Sequence, residues 1–206
     1  QIIFTGNPVR KDLLQAREIR AEGIEFYGLD ASKKTILVTG GSLGAGTLNK
    51  AVMRCLKDIG QWQEVQVLWQ CGSYYYEDLK KQLDGKLPEN VKLLAFLDLA
   101  YAAADIVVAR AGAGTISELC LLEKAAVLIP SPNVAEDHQT KNAMALVDKG
   151  AAVMIRDTEA EERLEQVLTG LLSDEKQRKE LEKHIAKLAI RDSDEQIARE
   201  ILKVIG

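Results

Sequence analysis

The chain has 206 residues, 47% of them hydrophobic and 28% charged, which is enough to bury the core of one α/β domain. The formal charge of −4 offers no basic surface for nucleic acid, and no apolar run approaches the ~20 residues of a membrane span. Three cysteines without a CxxC spacing and only two histidines argue against a Cys- or His-based metal centre. The composition predicts a soluble globular protein from a reducing compartment.

Residues 1–33 contain a short apolar, strand-like stretch, the turn Gly6-Asn7-Pro8 and a charged helix. We interpret them as a lead-in segment and interdomain linker without a core of their own. Because the sequence opens at Gln1 with no initiator Met, we expect it to be a fragment of a longer protein.

Residues 34–190 alternate between short apolar runs and helical periodicity. Six runs are typical of buried parallel strands, and they cover residues 35–39, 65–70, 91–94, 106–108, 126–129 and 152–155. Helical patterns cover residues 45–59, 74–83, 99–104, 115–122, 138–149, 159–172 and 175–189. The alternation predicts an α/β fold with a doubly wound, six-stranded parallel sheet of the Rossmann type and a helical C-terminal tail. Residues 191–206 are predicted to form a last helix, with Asp192 and Asp194 read as helix caps in preference to a metal-binding DxD.

The first glycine-rich turn, Gly40-Gly41-Ser42-Leu43-Gly44-Ala45-Gly46, lies between a predicted strand and a predicted helix. It does not fit the dinucleotide fingerprint GxGxxG, and Thr47 stands where a Walker A motif needs lysine. Two interpretations remain: a phosphate cradle with Ser42 as an added donor, or a tight turn whose glycines allow close packing.

A second glycine turn follows the fourth strand and runs from Ala109 to Glu118. Glu118, expected in the first turn of the next helix, could accept two hydrogen bonds from ribose hydroxyls. The alternative is a capping box with Thr115 as the N-cap. Two such turns in one sheet are expected to open on the same crevice, which favours a binding site.

A polar loop, residues 130–142, follows the fifth strand and suits recognition of a sugar. His138 is a weaker candidate for a general base, since no nucleophile motif accompanies it. For Glu136 and Asp137, capping of the next helix is an equally good interpretation.

These segments together resemble the C-terminal, donor-binding domain of the MurG family of peptidoglycan N-acetylglucosaminyltransferases, which have the GT-B fold. The resemblance covers almost the whole chain. It is carried by residues 6–10 (GNPVR), 40–45 (GGSLGA), 104–118 and 137–143 (DHQTKNA).

The resemblance implies transfer of GlcNAc, with inversion, from UDP-GlcNAc to the undecaprenyl-pyrophosphoryl-MurNAc-pentapeptide on the cytoplasmic membrane face. It implies no cofactor and no metal. Arg10 and Ser42 would contact the diphosphate, Leu97 the uracil, and Glu118 the ribose, while His138 and Gln139 would contact the sugar. The full set implied for UDP-GlcNAc is Arg10, Gly41, Ser42, Leu43, Gly44, Phe96, Leu97, Ala113, Gly114, Thr115, Glu118, His138 and Gln139.

The sequence departs from the family at two places and lacks a part of it. Residues 96–104 are shorter than the family usually has, and Gly46 replaces a residue that is often larger and basic. The family's N-terminal domain, with the expected catalytic base and membrane-facing patch, is not in this chain. We therefore expect donor binding without turnover, and a last helix that crosses toward the other domain.

Three alternatives remain open. One is another GT-B relative, such as a UDP-GlcNAc epimerase or a lipid galactosyltransferase. Another is a non-catalytic nucleotide-sugar-binding module. An NAD-dependent oxidoreductase is the weakest, because the fingerprint and its acidic partner are missing.

Overall fold

The computed structural model describes residues 2–9, 13 and 19–205, and six strands in these ranges form one sheet. The strands are β1 (Lys34–Thr39), β2 (Val65–Gln70), β3 (Val91–Leu94), β4 (Ile106–Ala109), β5 (Ala125–Leu128) and β6 (Val153–Met154). The helices are α1 (Arg20–Phe26), α2 (Gly46–Ile59), α3 (Tyr76–Gln82), α4 (Ala100–Ala103), α5 (Ala113–Leu122), α6 (His138–Val147), α7 (Ala160–Ser173), α8 (Glu175–Ala186) and α9 (Ser193–Ile205). Short 3₁₀ turns precede α6 (Ala135–Asp137) and α7 (Asp157–Glu159).

The sheet has the order β3-β2-β1-β4-β5-β6, and each neighbouring pair is parallel. The winding reverses between β1 and β4, which are adjacent, with Leu37 opposite Val107. At such a reversal the loops after the two strands diverge to opposite faces and leave a crevice at the carboxyl ends.

Both faces of the sheet are covered, which explains why the central strands are apolar throughout. Ile36, Val38 and Trp69 belong to the core on one face, together with residues of α2 and α7. Leu37 and Leu68 belong to the core on the other face, together with residues of α4, α5 and α6. Successive residues of a strand point to opposite faces, so each strand stabilises both layers.

The predicted fold class is confirmed, and the apolar stripe predicted for the helix after β1 is buried. The element bounds differ in a few places. β6 has only two residues, Val153–Met154, and pairs with β5 alone at one edge of the sheet. The short strand expected near the N-terminus is wrong, since residues 2–9 have no regular secondary structure.

Helix α1 packs against α4 and so joins the lead-in segment to the sheet. Arg20 donates to the carbonyl of Ala103 (2.5 Å) and to the carboxylate of Asp105 (3.1 Å). Tyr27 is buried in the same core as Leu37. Within the described ranges, no helix has the length and apolar character needed to cross a membrane.

Candidate functional site

A cleft of about 650 Å³ lies at the carboxyl ends of β1 and β4, where the sheet reverses its winding. Both glycine turns reach it, as does the polar loop after β5. The cleft is lined by Thr39, Gly40, Gly41, Ser42, Gly44, Ala45, Gln70, Phe96, Leu97, Tyr101, Ala109, Arg110, Gly112, Thr115, Glu118, Ser131 and Gln139. The expectation that the two turns open on one crevice is therefore confirmed.

The first glycine turn has a backbone path that side chains rarely adopt. Gly41 (φ +84°) and Gly44 (φ +86°) have left-handed φ values, and the Gly44 amide donates to the Gly41 carbonyl at 2.9 Å. A Cβ on Gly44 would lie 2.0 Å from the carbonyl oxygen of Cys71. Close packing thus accounts for Gly44, whereas no atom lies within 4 Å of a Cβ built on Gly41. The packing and cradle interpretations of the turn are therefore compatible.

Gln70, at the end of β2, holds this turn in place. Its Nε2 donates to the carbonyls of Gly41 and Ala95, both at 2.9 Å, and its Oε1 accepts from the Thr39 hydroxyl at 2.7 Å. The Thr39 hydroxyl also accepts from the Gly41 amide at 3.2 Å, so the turn is fixed from two strands.

Helix α2 begins directly after the turn and presents its N-terminus to the cleft. Its N-cap residue, Ala45, supplies no side-chain capping bond, and the first helical turn contains no acidic residue. The first amides of a helix and its dipole favour an anion. Since Gly44 and Ala45 line the cleft, a phosphate group there would meet the positive end of α2, whose first turn contains no acidic residue of its own.

The second glycine turn leads into α5 two residues earlier than predicted. The helix begins at Ala113 with Gly112 as its N-cap and no side-chain capping bond. The capping-box interpretation of Thr115 and Glu118 is therefore wrong, and Glu118 lies in the second turn instead of the first. Residues 112, 115 and 118 are spaced by three, which puts them on one face of the helix, and this face lines the cleft.

The polar loop contributes Gln139 to the cleft but not His138. Oε1 of Gln139 accepts from the amides of Ser131 (2.9 Å) and Ala111 (3.2 Å), so the side chain ties the loop to the second glycine turn. His138 is exposed, and its Nδ1 lies 2.9 Å from the carbonyl oxygen of Ala135.

Glu136 and Asp137 both have left-handed φ values, +53° and +51°, although neither is glycine. Asp137 is the N-cap residue of α6 but makes no side-chain capping bond. The capping interpretation of these two acidic residues is therefore wrong. Such a conformation costs about 1–3 kcal/mol per residue and is concentrated in proteins at functional sites.

Eight of the thirteen predicted site residues line the cleft: Gly41, Ser42, Gly44, Phe96, Leu97, Thr115, Glu118 and Gln139. Leu43, Ala113, Gly114 and His138 are described but do not line it. Arg10 lies outside the described residues. Gln70, Tyr101 and Arg110 also line the cleft but are not among the predicted site residues. Of the three, Arg110 has a recognisable signal in the sequence, because it is a charged residue directly after a strand.

A doubly wound parallel sheet with two helix N-termini at its reversal point defines a Rossmann-like domain, and its cleft suits an anionic group. Comparison with known proteins is more specific. The family profile described as "Glycosyltransferase family 28 C-terminal domain" matches residues 35–197. The chain therefore belongs to the glycosyltransferase family 28 C-terminal domain family, as the resemblance to MurG implied.

Two curated relatives have the same name, UDP-N-acetylglucosamine–N-acetylmuramyl-(pentapeptide) pyrophosphoryl-undecaprenol N-acetylglucosamine transferase. The protein of Parabacteroides distasonis is 50% identical over 100% of this chain and 56% of its own length. That of Bacteroides thetaiotaomicron is 47% identical over 99% of this chain and 56% of its own length. The crystal structure of Acinetobacter baumannii MurG is 30% identical with a TM-score of 0.75, over 93% of this chain and 55% of that one. The chain thus spans about half the length of these relatives.

Proposed function

We propose that this chain is the donor-binding half of an inverting glycosyltransferase that uses UDP-GlcNAc. The reaction would transfer GlcNAc to undecaprenyl-pyrophosphoryl-MurNAc-pentapeptide during peptidoglycan synthesis. The observation that carries the proposal is the convergence of the α2 N-terminus, the second glycine turn and Glu118 on one cleft. The names of the two curated relatives supply the donor and the acceptor.

In this proposal the diphosphate lies on the first glycine turn, with Ser42 and the amides at the start of α2 as donors. The Glu118 carboxylate accepts from the ribose hydroxyls, Phe96 and Leu97 lie beside the uracil, and Gln139 faces the sugar. Negative charge builds up on UDP as it leaves. Backbone amides and a helix dipole that are already in place stabilise this charge without reorganisation, which lowers the barrier to transfer.

The general base and the acceptor site belong, in this proposal, to the part of the relatives that the chain does not cover. This chain then binds the donor without turning it over. The proposed location is the cytoplasmic face of the bacterial membrane, with contact through the other part of the protein.

The proposed domain organisation has a lead-in segment and linker at 1–33, the nucleotide-sugar domain at 34–190, and a crossing helix at 191–206. Helix α9 supports the last assignment. Ile201 (55% exposed) and Leu202 (63% exposed) lie on it, and its first turn is acidic, so it is amphipathic with apolar side chains in solvent. Such a face is stabilised by packing against a further apolar surface.

Calorimetric titration of the chain with UDP-GlcNAc, UDP-glucose and NAD tests the donor assignment. We expect UDP-GlcNAc to bind most tightly and NAD not to bind. Glu118→Ala should weaken binding by about 1.5–3 kcal/mol, roughly 10- to 150-fold, because a charged hydrogen-bond acceptor is lost. Glu165→Ala is the matched control, since Glu165 is the sixth residue of α7 as Glu118 is of α5, but is exposed and does not line the cleft.

Two results would contradict the donor assignment. Equal affinity for NAD and UDP-GlcNAc would remove the preference for a uridine nucleotide. An unchanged affinity in Glu118→Ala would remove Glu118 from the site.

A further inference from the structure

An ion pair that is largely shielded from solvent lies at the back of the cleft. Arg110 and Asp157 are each 15% exposed at the side chain, and an Arg110 Nη1 donates to Asp157 Oδ1. Arg110 lines the cleft, whereas Asp157 does not. Asp157 follows β6 as the first residue of a 3₁₀ turn and belongs to none of the motifs that identify the site.

The Asp157 carboxylate also bonds to helix α2. Its Oδ2 accepts from the hydroxyl of Thr47 at 3.0 Å, and Thr47 is the second residue of α2, directly after the first glycine turn. Arg110 stands directly before the second glycine turn. One carboxylate thus joins the segments that carry the two turns.

The polar loop is joined to the same group. Nη1 of Arg110 also donates to the carbonyls of Ile129 (3.0 Å) and Pro130 (3.3 Å), and the next residue along, Ser131, bonds to Gln139. Three separate walls of the cleft therefore meet at the Arg110–Asp157 pair. Because the pair is largely shielded from solvent, removing either partner leaves a poorly solvated charge among these walls.

We propose that Asp157 is a positioning residue for nucleotide binding, which sets the distance between the two glycine turns through Arg110 and Thr47. The inference rests on the proposed function. A nucleoside diphosphate would touch both turns at once, with its phosphates on the first and its ribose on Glu118. Its affinity therefore depends on the spacing of the turns, and a loose spacing weakens binding without removing any ligand-contacting group.

The test is calorimetric titration with UDP of the unsubstituted chain and four variants. Asp157→Asn keeps the size of the side chain and removes its charge, and we expect about a tenfold weaker affinity. Glu159→Gln is the matched control: it makes the same chemical change two residues along, at a side chain that pairs with Arg163 (2.8 Å), and its affinity should not change. Thr47→Val should weaken UDP binding several-fold, and Thr47→Ser, which keeps the hydroxyl, should restore it.

A fifth variant, Arg178→Met, distinguishes a specific effect on UDP binding from a general loss of stability. Arg178 is buried and donates to the carbonyls of Leu171 and Leu172 at the end of α7, away from the cleft lining. We expect Arg178→Met to lower the melting temperature, as we also expect of Asp157→Asn, and to leave the affinity for UDP unchanged. Equal weakening in Arg178→Met and Asp157→Asn, or no weakening in Asp157→Asn, would overturn the positioning role while the proposed function stands. If the unsubstituted chain binds no uridine nucleotide, the proposed function fails, and the inference fails with it.

Discussion

Asn49 shows how single polar residues shape this domain from inside the core. Its Nδ2 donates to the Cys71 carbonyl and its Oδ1 accepts from Nε1 of Trp69, both at 3.0 Å. The side chain is 5% exposed and joins α2 to the end of β2. The Cys71 carbonyl is also the group that Gly44 approaches, so Asn49 supports the first glycine turn from behind.

At this scale the sequence predicts contacts that are local and misses those that are not. Ser42 and Glu118 belong to the two glycine-rich segments that follow strands, and that position in the sequence marks them as cleft residues. Gln70, Asn49 and Asp157 act on partners about 20 or more positions away in the chain. A polar residue in an apolar run shows that a partner is needed, but the partner is known only once the fold is formed.

The buried thiols should make the folded chain sensitive to alkaline pH. Burial raises the pKa of Cys55 from 9.0 to about 12, chiefly because the thiolate loses its solvation. A pKa that is higher in the folded chain contributes stability below pH 9, and the contribution is lost as pH rises toward the folded pKa. Between roughly pH 8 and pH 10.5, the free energy of unfolding of the unsubstituted chain should fall as Cys55 ionises in the unfolded state. Over the same range, the fall should be about 1–2 kcal/mol smaller in Cys55→Ala, which lacks this thiol.

Val52→Ala is the control for this comparison, because Val52 is a buried residue of the same helix without a titrating group. It should lower stability at every pH and leave the pH dependence unchanged. Denaturant unfolding at a series of pH values measures both variants. Parallel curves for Cys55→Ala and the unsubstituted chain would contradict the assigned pKa.

Elements are predicted well where the physical signal is continuous. The central strands are recognisable because both faces of a parallel sheet are covered, and α2 because its buried residues recur at the helical period. The predicted start of α5 is wrong by two residues because the Gly-Ala-Gly sequence has no capping side chain to mark it, and Gly112 is the N-cap without a side-chain hydrogen bond. The strand β6 is also shorter than predicted, because only Val153 and Met154 pair with β5.

The two left-handed glycines of the β1–α2 turn should respond differently to substitution. Gly44→Ala puts a Cβ 2.0 Å from the Cys71 carbonyl oxygen, so β2 and the turn must separate. We expect a loss of about 4 kcal/mol or more in the unfolding free energy. Gly41→Ala meets no atom within 4 Å and should cost only the left-handed strain, about 1–2 kcal/mol.

Thermal and denaturant unfolding of the two alanine variants measures this difference. Because both glycines have φ values near +85°, their strain is equal and the difference isolates the contact with Cys71. Equal losses would mean that the turn does not pack on β2 as described.

At the scale of the whole molecule, the sheet has openings at both ends. The larger one, about 1120 Å³, lies at the amino ends of β1, β2 and β3 and is lined by Trp62, Lys86 and Asn90 among others. The smaller cleft at the carboxyl ends has both glycine turns and two helix N-termini. Volume alone would favour the larger opening, whereas the arrangement of donors favours the smaller one.

A crystal structure of the chain with UDP tests this assignment most directly. The account predicts the diphosphate on residues 40–46, within hydrogen-bond distance of Ser42 and the first amides of α2, and the ribose hydroxyls on the Glu118 carboxylate. UDP bound in the opening lined by Trp62 and Asn90, or bound in the cleft with its ribose away from Glu118, would contradict it.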